Sequence, residues 1–327
     1  MNTPELSFTT PTELLAALPH LLGFVPTDDM VALMLGPVEN QTHIAMRAAI
    51  RCPLAIDHQV AERFPQTCRL DADQFPGAIL VAVCDTNDEE HAYGVLRTVR
   101  AALHRHGIVV HRILYTDSVT HPGHWFDPDT GESGTTIAYT DSPATALGVV
   151  QGRLIAPSRD EMQREFATTE PAPPMDAEAQ DIAALTEATT ADLRYAITQN
   201  RAPTTDLAMR AALVVTAHVG LRDALLRLAV GHELAAGAVW TQIAAAHRGH
   251  TRAELLTMAA TAYYCGEDTV RAGIALTHAA AATRDDNSAL PRLGSMLRTA
   301  LHEGMPPSKI RAIIHAQDST RTQETDL

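Results

Sequence analysis

Apolar positions change their spacing partway along this chain. Ahead of Ala167 they fall in short runs of strand length. Beyond Met175 they recur every three to four residues in long alanine-rich stretches, the period of helices with a buried face. Between the two textures lies Thr168-Thr169-Glu170-Pro171-Ala172-Pro173-Pro174, where proline removes backbone donors and excludes regular helix. The pattern predicts an α/β domain over 1–166 with a mixed, partly parallel sheet. A proline-rich acidic linker over 167–175 follows, then an all-α helical domain over 176–316, loosely tetratricopeptide-like, and a disordered tail over 317–327.

Local signals place the elements. Thr10-Pro11-Thr12-Glu13 is a capping-box start with proline in the first turn, and the helix it opens should stop at Gly23. Met30–Leu35 and the alternating His43–Arg51 read as paired strands with Pro37–Thr42 as the hairpin connection. Ala78–Cys84 is apolar without interruption, as in a strand covered on both faces of a parallel sheet. A helix over Glu89–His106 and a strand over Ile108–Tyr115 complete a strand–helix–strand crossover. His121–Asp141 is a loop or irregular hairpin, and Ser142-Pro143 and Ser158-Arg159-Asp160-Glu161 open two further helices. Past the break, helices are predicted over Asp176–Thr189, Thr205–His218, Leu221–Val230, His232–His247, Thr251–Tyr264, Asp268–Thr283, Ser288–His302 and Ser308–His315.

At 327 residues the chain is long enough for two cores. Its net charge is −14, and from Glu170 to Asp192 there are acids and no base. Nucleic acid and anionic lipid bind through Lys and Arg neutralising phosphates, so neither is an expected partner. Lys309 is the only lysine, which fits a GC-rich coding bias together with the abundance of alanine. Cys52, Cys68, Cys84 and Cys265 match no zinc module or disulfide framework. No secretory leader is evident at Met1–Glu5 and no stretch reaches bilayer-spanning length. The expected setting is cytoplasmic.

The stretch from Leu14-Leu15-Ala16-Ala17-Leu18-Pro19-His20 through Leu21-Leu22-Gly23-Phe24-Val25-Pro26, with Asp28-Asp29 following, resembles the opening of the actinobacterial domain of unknown function 4192 family. The resemblance extends to Gly123-His124-Trp125, to Gly152-Arg153-Leu154 with Ser158–Glu161, to Leu221-Arg222-Asp223, and from Leu255 through Pro306. Many relatives carry Cys-Cys-Pro after the Gly-x-Trp step, where this chain has Asp127-Pro128-Asp129-Thr130-Gly131. That departure argues against a metal or thiol role for the loop. The resemblance implies no catalytic residue.

Two sets of residues carry candidate chemistry. Asp85, Asn87 and Asp88 follow one parallel strand and Asp117 the next, at the strand ends where open α/β sheets bind ligands. Converging carboxylates there would hold Mg²⁺ or share a proton; the commoner use of such residues is to cap helices and make turns. Trp125 in the neighbouring loop is a ligand contact or an anchor on the core. In the helical half, Tyr263, Ala260, Ala272 and Ala279 match the aromatic and small positions of a tetratricopeptide motif, while Gly266 is displaced and Arg284 stands in place of proline. Tyr263, Tyr264, Leu297 and Leu301 are the candidate partner-binding residues.

The histidines from His104 to His124 match no ligand spacing, so no metal site is assigned. No cofactor motif and no catalytic motif is recognisable. The expected function is a non-enzymatic interaction or regulatory module that engages a protein partner or a second copy of itself. The alternative is a small-molecule binder or metal-assisted hydrolase centred on Asp85 and Asp117.

Overall fold

Thr10 opens the first helix, α1 (Pro11–Leu22), through a complete capping box. Its hydroxyl accepts from the Glu13 N–H, and the Glu13 carboxylate accepts from the Thr10 N–H. Gly23 ends the helix at φ 75°, a left-handed conformation free of penalty for glycine. The computed structural model describes residues 7–37, 44–173, 175 and 181–322, and the chain divides into two compact units at Arg159/Asp160.

In the first unit, strands β1 (Asp29–Pro37), β2 (Ile44–Pro53), β3 (Gly77–Val83), β4 (Val109–Thr116), β5 (His124–Phe126) and β6 (Ser133–Thr135) form one sheet in the order β2-β1-β3-β4-β5-β6. β3 and β4 run parallel and the other pairings are antiparallel. The expected connection at Pro37–Thr42 lies outside the described residues from 38 onward. Helices α2 (His58–Glu62), α3 (Phe64–Thr67) and α4 (Glu89–Arg105) pack on one another, and α4 is the crossover between β3 and β4.

Side chains alternate across a strand, so one parity of the sheet faces these helices. Met30, Ala32, Leu80 and Ala82 join Leu96, Val99 and Leu103 in one core. The other parity, including Val31, Leu33, Val81 and Leu114, is equally buried. α1 lies against β2 and against α5 (Pro143–Val150). The sheet is therefore mixed, partly parallel and apolar on both faces, as the run Ala78–Cys84 predicts.

The second unit holds α7 (Ile182–Thr198), α8 (Thr205–Ala217), α9 (Val219–Leu226), α10 (Glu233–Ala245), α11 (Gly249–Cys265), α12 (Thr269–Asp285), α13 (Arg292–His302) and α14 (Pro307–Thr322), preceded by α6 (Arg159–Arg164) at its boundary. Among the described residues it contains no strand. α11 is the hub and contacts α8, α9, α10, α12, α13 and α14. Thirteen of its 17 residues are buried, so it shows no single apolar stripe. Thr257 and Thr261 tolerate that burial because each hydroxyl donates to the carbonyl four residues back. Ala260, Ala272 and Ala279 are fully buried where α11 and α12 pack together. Gly266-Glu267-Asp268 links the pair, with Glu267 at φ 65°.

The helix expected over Asp176–Thr189 differs at both ends. Residues 176–180 lie outside the described residues; α7 starts at Asp181, whose carboxylate accepts from the N–H groups of Ala183 and Ala184. It continues past Thr189, whose hydroxyl, fully buried, is satisfied by the Leu185 carbonyl inside the helix. Likewise α14 runs to Thr322, beyond Gln317, while 323–327 lie outside the described residues.

The stretch after α6 is strapped to the helical unit. Arg271, 7% exposed, makes a bidentate contact to Glu165 at 2.7 and 2.8 Å and holds Asp268 at 2.8 Å. Phe166 is buried against His278, with ring centroids 5.8 Å apart. Arg252 donates to the Phe166 carbonyl and Arg248 to the Thr169 carbonyl. Thr169 and Ala172 N–H groups donate to the carbonyls of Ala245 and Ala246 at the end of α10. Because a lysine lacks the planar fork, Arg271→Lys should not restore what Arg271→Ala removes. Both variants should lose about 3 kcal/mol in urea unfolding, and hydrogen exchange should rise first over 165–172.

Candidate functional site

The carboxyl edge of the parallel pair is built from turns. Cys84 extends the ladder by donating its N–H to Thr116 O. Asp85 then caps the short turn leading into α4: its Oδ1 accepts from the Asn87 N–H at 2.9 Å and from the Asn87 side-chain amide at 2.6 Å. Asp88, at the entry to α4, makes no side-chain cap bond. Asp117 Oδ1 accepts from the His124 N–H at 2.9 Å, and it sits so close to Gly123 that a Cβ there would lie 2.2 Å from it. A larger residue at 123 would displace the Asp117 carboxylate, which serves as the staple that folds the loop back into β5.

These groups do share one neighbourhood. The carboxylates of Asp28, Asp85 and Asp88 all act on the Cys84 thiol, and together with burial, the largest cause, they push it up to about 11. A thiol so placed stays protonated near neutral pH and is a poor nucleophile. The Tyr115 hydroxyl donates to Cys84 O at 2.8 Å and burial raises it too. Among the described residues, no group of three or more His, Cys, Asp or Glu is arranged to hold a metal ion. Asp85 and Asp117 are both brought to the strand ends as expected, but each is engaged by its own loop.

Trp125 supports the fold from inside. It is 8% exposed, its indole N–H donates to Thr12 Oγ1 at 3.0 Å, and Arg112 stands 5.8 Å over its ring. A Cβ at Gly134 would meet the indole at 2.7 Å, so the ring lies flat on the facing strand and anchors the β5–β6 hairpin to α1.

The four expected contact residues of the helical unit lie inward. Tyr263 and Tyr264 are buried, Tyr263 with its ring where a Cβ of Gly237 would be. Tyr264 donates to the Met305 carbonyl. Leu297 is 2% exposed and Leu301 half-buried. They close the helical core rather than present a surface.

The pair Asp29–Arg51 has no counterpart among the expected residues. Asp29 is 1% exposed at the head of β1, with an Arg51 Nη2 2.5 Å from its Oδ1 and the Thr27 N–H 3.3 Å from its Oδ2. Burial raises this carboxyl above the usual range, and Arg51, Thr27 and Arg159 offset part of that. Asp28-Asp29 reads as turn chemistry in the sequence, and Asp28 does make the turn, at φ 52°. The missed signal is parity: Asp29 is in phase with Val31 and Leu33, so its carboxylate enters the core. Removing one partner of a buried pair strands the other. Asp29→Ala should therefore cost about 3 kcal/mol in urea unfolding, and Asp29→Asn less, because the amide still accepts from Thr27.

The histidines from His104 to His124 are dispersed and mostly exposed. Two half-buried histidines lie elsewhere. Burial, and then the charge of Arg252, hold His278 below the ordinary value of 6.5. Burial also lowers His247, although its ring nitrogen 3.1 Å from Ala208 O opposes the shift. A histidine kept neutral in the fold contributes stability that is present above its unfolded value and lost as pH falls towards its folded one. Stability measured by urea should therefore drop between pH 7.5 and pH 5.5, and His278→Gln should shrink that difference.

The architecture is that of an α/β unit joined to an all-α unit, with the sheet's carboxyl edge closed by capped turns. No helix among the described residues is long and apolar enough to cross a membrane. The chain belongs to the family described as Domain of unknown function (DUF4192), whose model matches residues 11–308. No curated protein and no solved structure is significantly similar to it.

Proposed function

We propose that this protein is a non-enzymatic interaction module, and that its contact surface is an aliphatic corner of the first unit. Val149, Val150 and Leu154 are 68%, 85% and 76% exposed, an unusual grouping of large apolar side chains within six residues. The backbone there makes a defined turn: Gly152 follows α5 in the left-handed conformation, and the Arg153 N–H closes back on the Gly148 carbonyl at 2.8 Å. Burying each of these side chains in a partner is worth about 1.5–3 kcal/mol, enough together for a specific complex.

Charge favours a different protein over a second copy. Up to Phe166 the chain carries 21 acids and 11 bases, a balance of −10 (11 − 21), and like charges oppose self-association. The partner would present an apolar pocket with a basic rim. The engagement of Asp85 and Asp117 in their own turns is what weighs against the hydrolase alternative.

Immobilised wild type and a Val149→Asp/Val150→Asp/Leu154→Asp variant, matched by circular dichroism, should be compared for capture from a native lysate. One protein retained at near-stoichiometric yield by the wild type should bind the variant about a hundredfold more weakly. Equal retention by both would sink this surface. Self-association of the wild type that the variant abolishes would replace the foreign partner with a second copy.

A further inference from the structure

We propose a second site, independent of that corner: a cleft between α2 and α4 that binds a small phosphorylated ligand. The cleft is open to solvent and offers about 310 Å³, at the lower end of pockets that hold small molecules. One wall is the α4 face carrying Gly94, Arg97, Thr98 and Arg105; the other is His58 and Glu62 of α2. On a helix these α4 positions fall along one side, and Arg97 and Arg105 stand about 12 Å apart along its axis.

The arginines of α4 are not equivalent. Arg100 is paired with Asp129 at 2.5 Å. Arg97 rests against the Tyr93 ring at 5.7 Å, and neither it nor Arg105 has a carboxylate within ion-pair distance among the described residues. The Glu62 carboxylate is instead directed at His58, 3.9 Å away. Two guanidinium groups without a carboxylate partner suit a multiply charged oxyanion, which arginine binds bidentately; the Thr98 hydroxyl between them is already engaged, donating to the Gly94 carbonyl at 3.0 Å. The lining carries two arginines against the one carboxylate of Glu62, a local positive balance on a chain of net charge −14.

Gly94 supplies a second observation. Glycine is among the poorest residues for a helix interior, and it is tolerated where something must come close to the backbone. At Gly94 no protein atom lies within 4 Å of the missing Cβ; the space there is the cleft itself. An open helical glycine is not sufficient alone, since Gly273 is open as well. At Gly94 the opening coincides with a cavity and its cations, so a ligand can approach the helix backbone between Arg97 and His58.

Titration calorimetry on the full chain at low salt, with inorganic tripolyphosphate and ATP as separate probes and citrate as the carboxylate control, tests this. The wild type should bind at least one phosphate probe 1:1, and more tightly than citrate. Arg97→Gln should weaken binding about tenfold, consistent with loss of a charge-assisted contact, and Arg97→Gln/Arg105→Gln should abolish the signal. Gly94→Leu should also abolish it by filling the cleft without changing charge. Arg292→Gln/Arg298→Gln, the same charge change on the helical unit, should stay within about twofold of wild type. Tripolyphosphate binding without ATP binding would restrict the ligand to compact polyphosphates. No binding by the folded wild type overturns the proposal, as does binding that survives in the double arginine variant or falls equally in the charge-matched control.

Discussion

Strand β3 has no polar side chain from Gly77 to Val83, and both its edges are occupied, by β1 antiparallel and by β4 parallel. Such a strand is stable only if both faces are kept from water. That constraint requires the crossover helix α4 on one side and further apolar cover on the other. It also gathers the polar loops at one edge, because the parallel pair delivers Cys84–Asp88 and Thr116–Ser118 to the same end. The carboxylates found there follow from topology, and their hydrogen bonds are those of turns that must reverse the chain in few residues.

The helical unit solves a different problem. Its alanine-rich helices pack closely around α11, which leaves little room for large side chains and makes Gly237 and the small residues at 260, 272 and 279 necessary. Cohesion at its amino-terminal edge comes from arginine. Arg248, Arg252 and Arg271 reach the 165–169 backbone and Glu165 with donors that satisfy carbonyls an irregular segment would leave orphaned. The proline-rich stretch is thus incapable of helix, as its composition demands, and yet its first half is held by named hydrogen bonds.

Most elements were legible because they rest on local signals: the capping box at Thr10, the glycine stop at Gly23, the apolar run of β3, the periodicity of α8, α10 and α12. The errors are informative. The helix expected to end at Thr189 runs on to Thr198, with the buried Thr189 hydroxyl donating to the Leu185 carbonyl inside it. Tyr263, Tyr264 and Leu297 were open to two readings, packing or partner contact, because aromatic and leucine side chains serve both cores and interfaces; all three lie buried. Asp85 and Asp117 were found at the strand ends, but their engagement by Asn87 and His124 depends on loop geometry that no spacing reveals.

What the sequence by itself determined was the division into a sheet-based half and a helical half, since periodicity and proline act through neighbouring residues. Only the tertiary structure decided which polar groups are free. Asp29 lies buried against Arg51, Arg100 is paired with Asp129 while Arg97 and Arg105 have no carboxylate partner among the described residues, and the Val149 and Val150 side chains are exposed. Each of those outcomes is set by residues distant along the chain, and a side chain's availability for binding is what remains after its long-range neighbours have been satisfied.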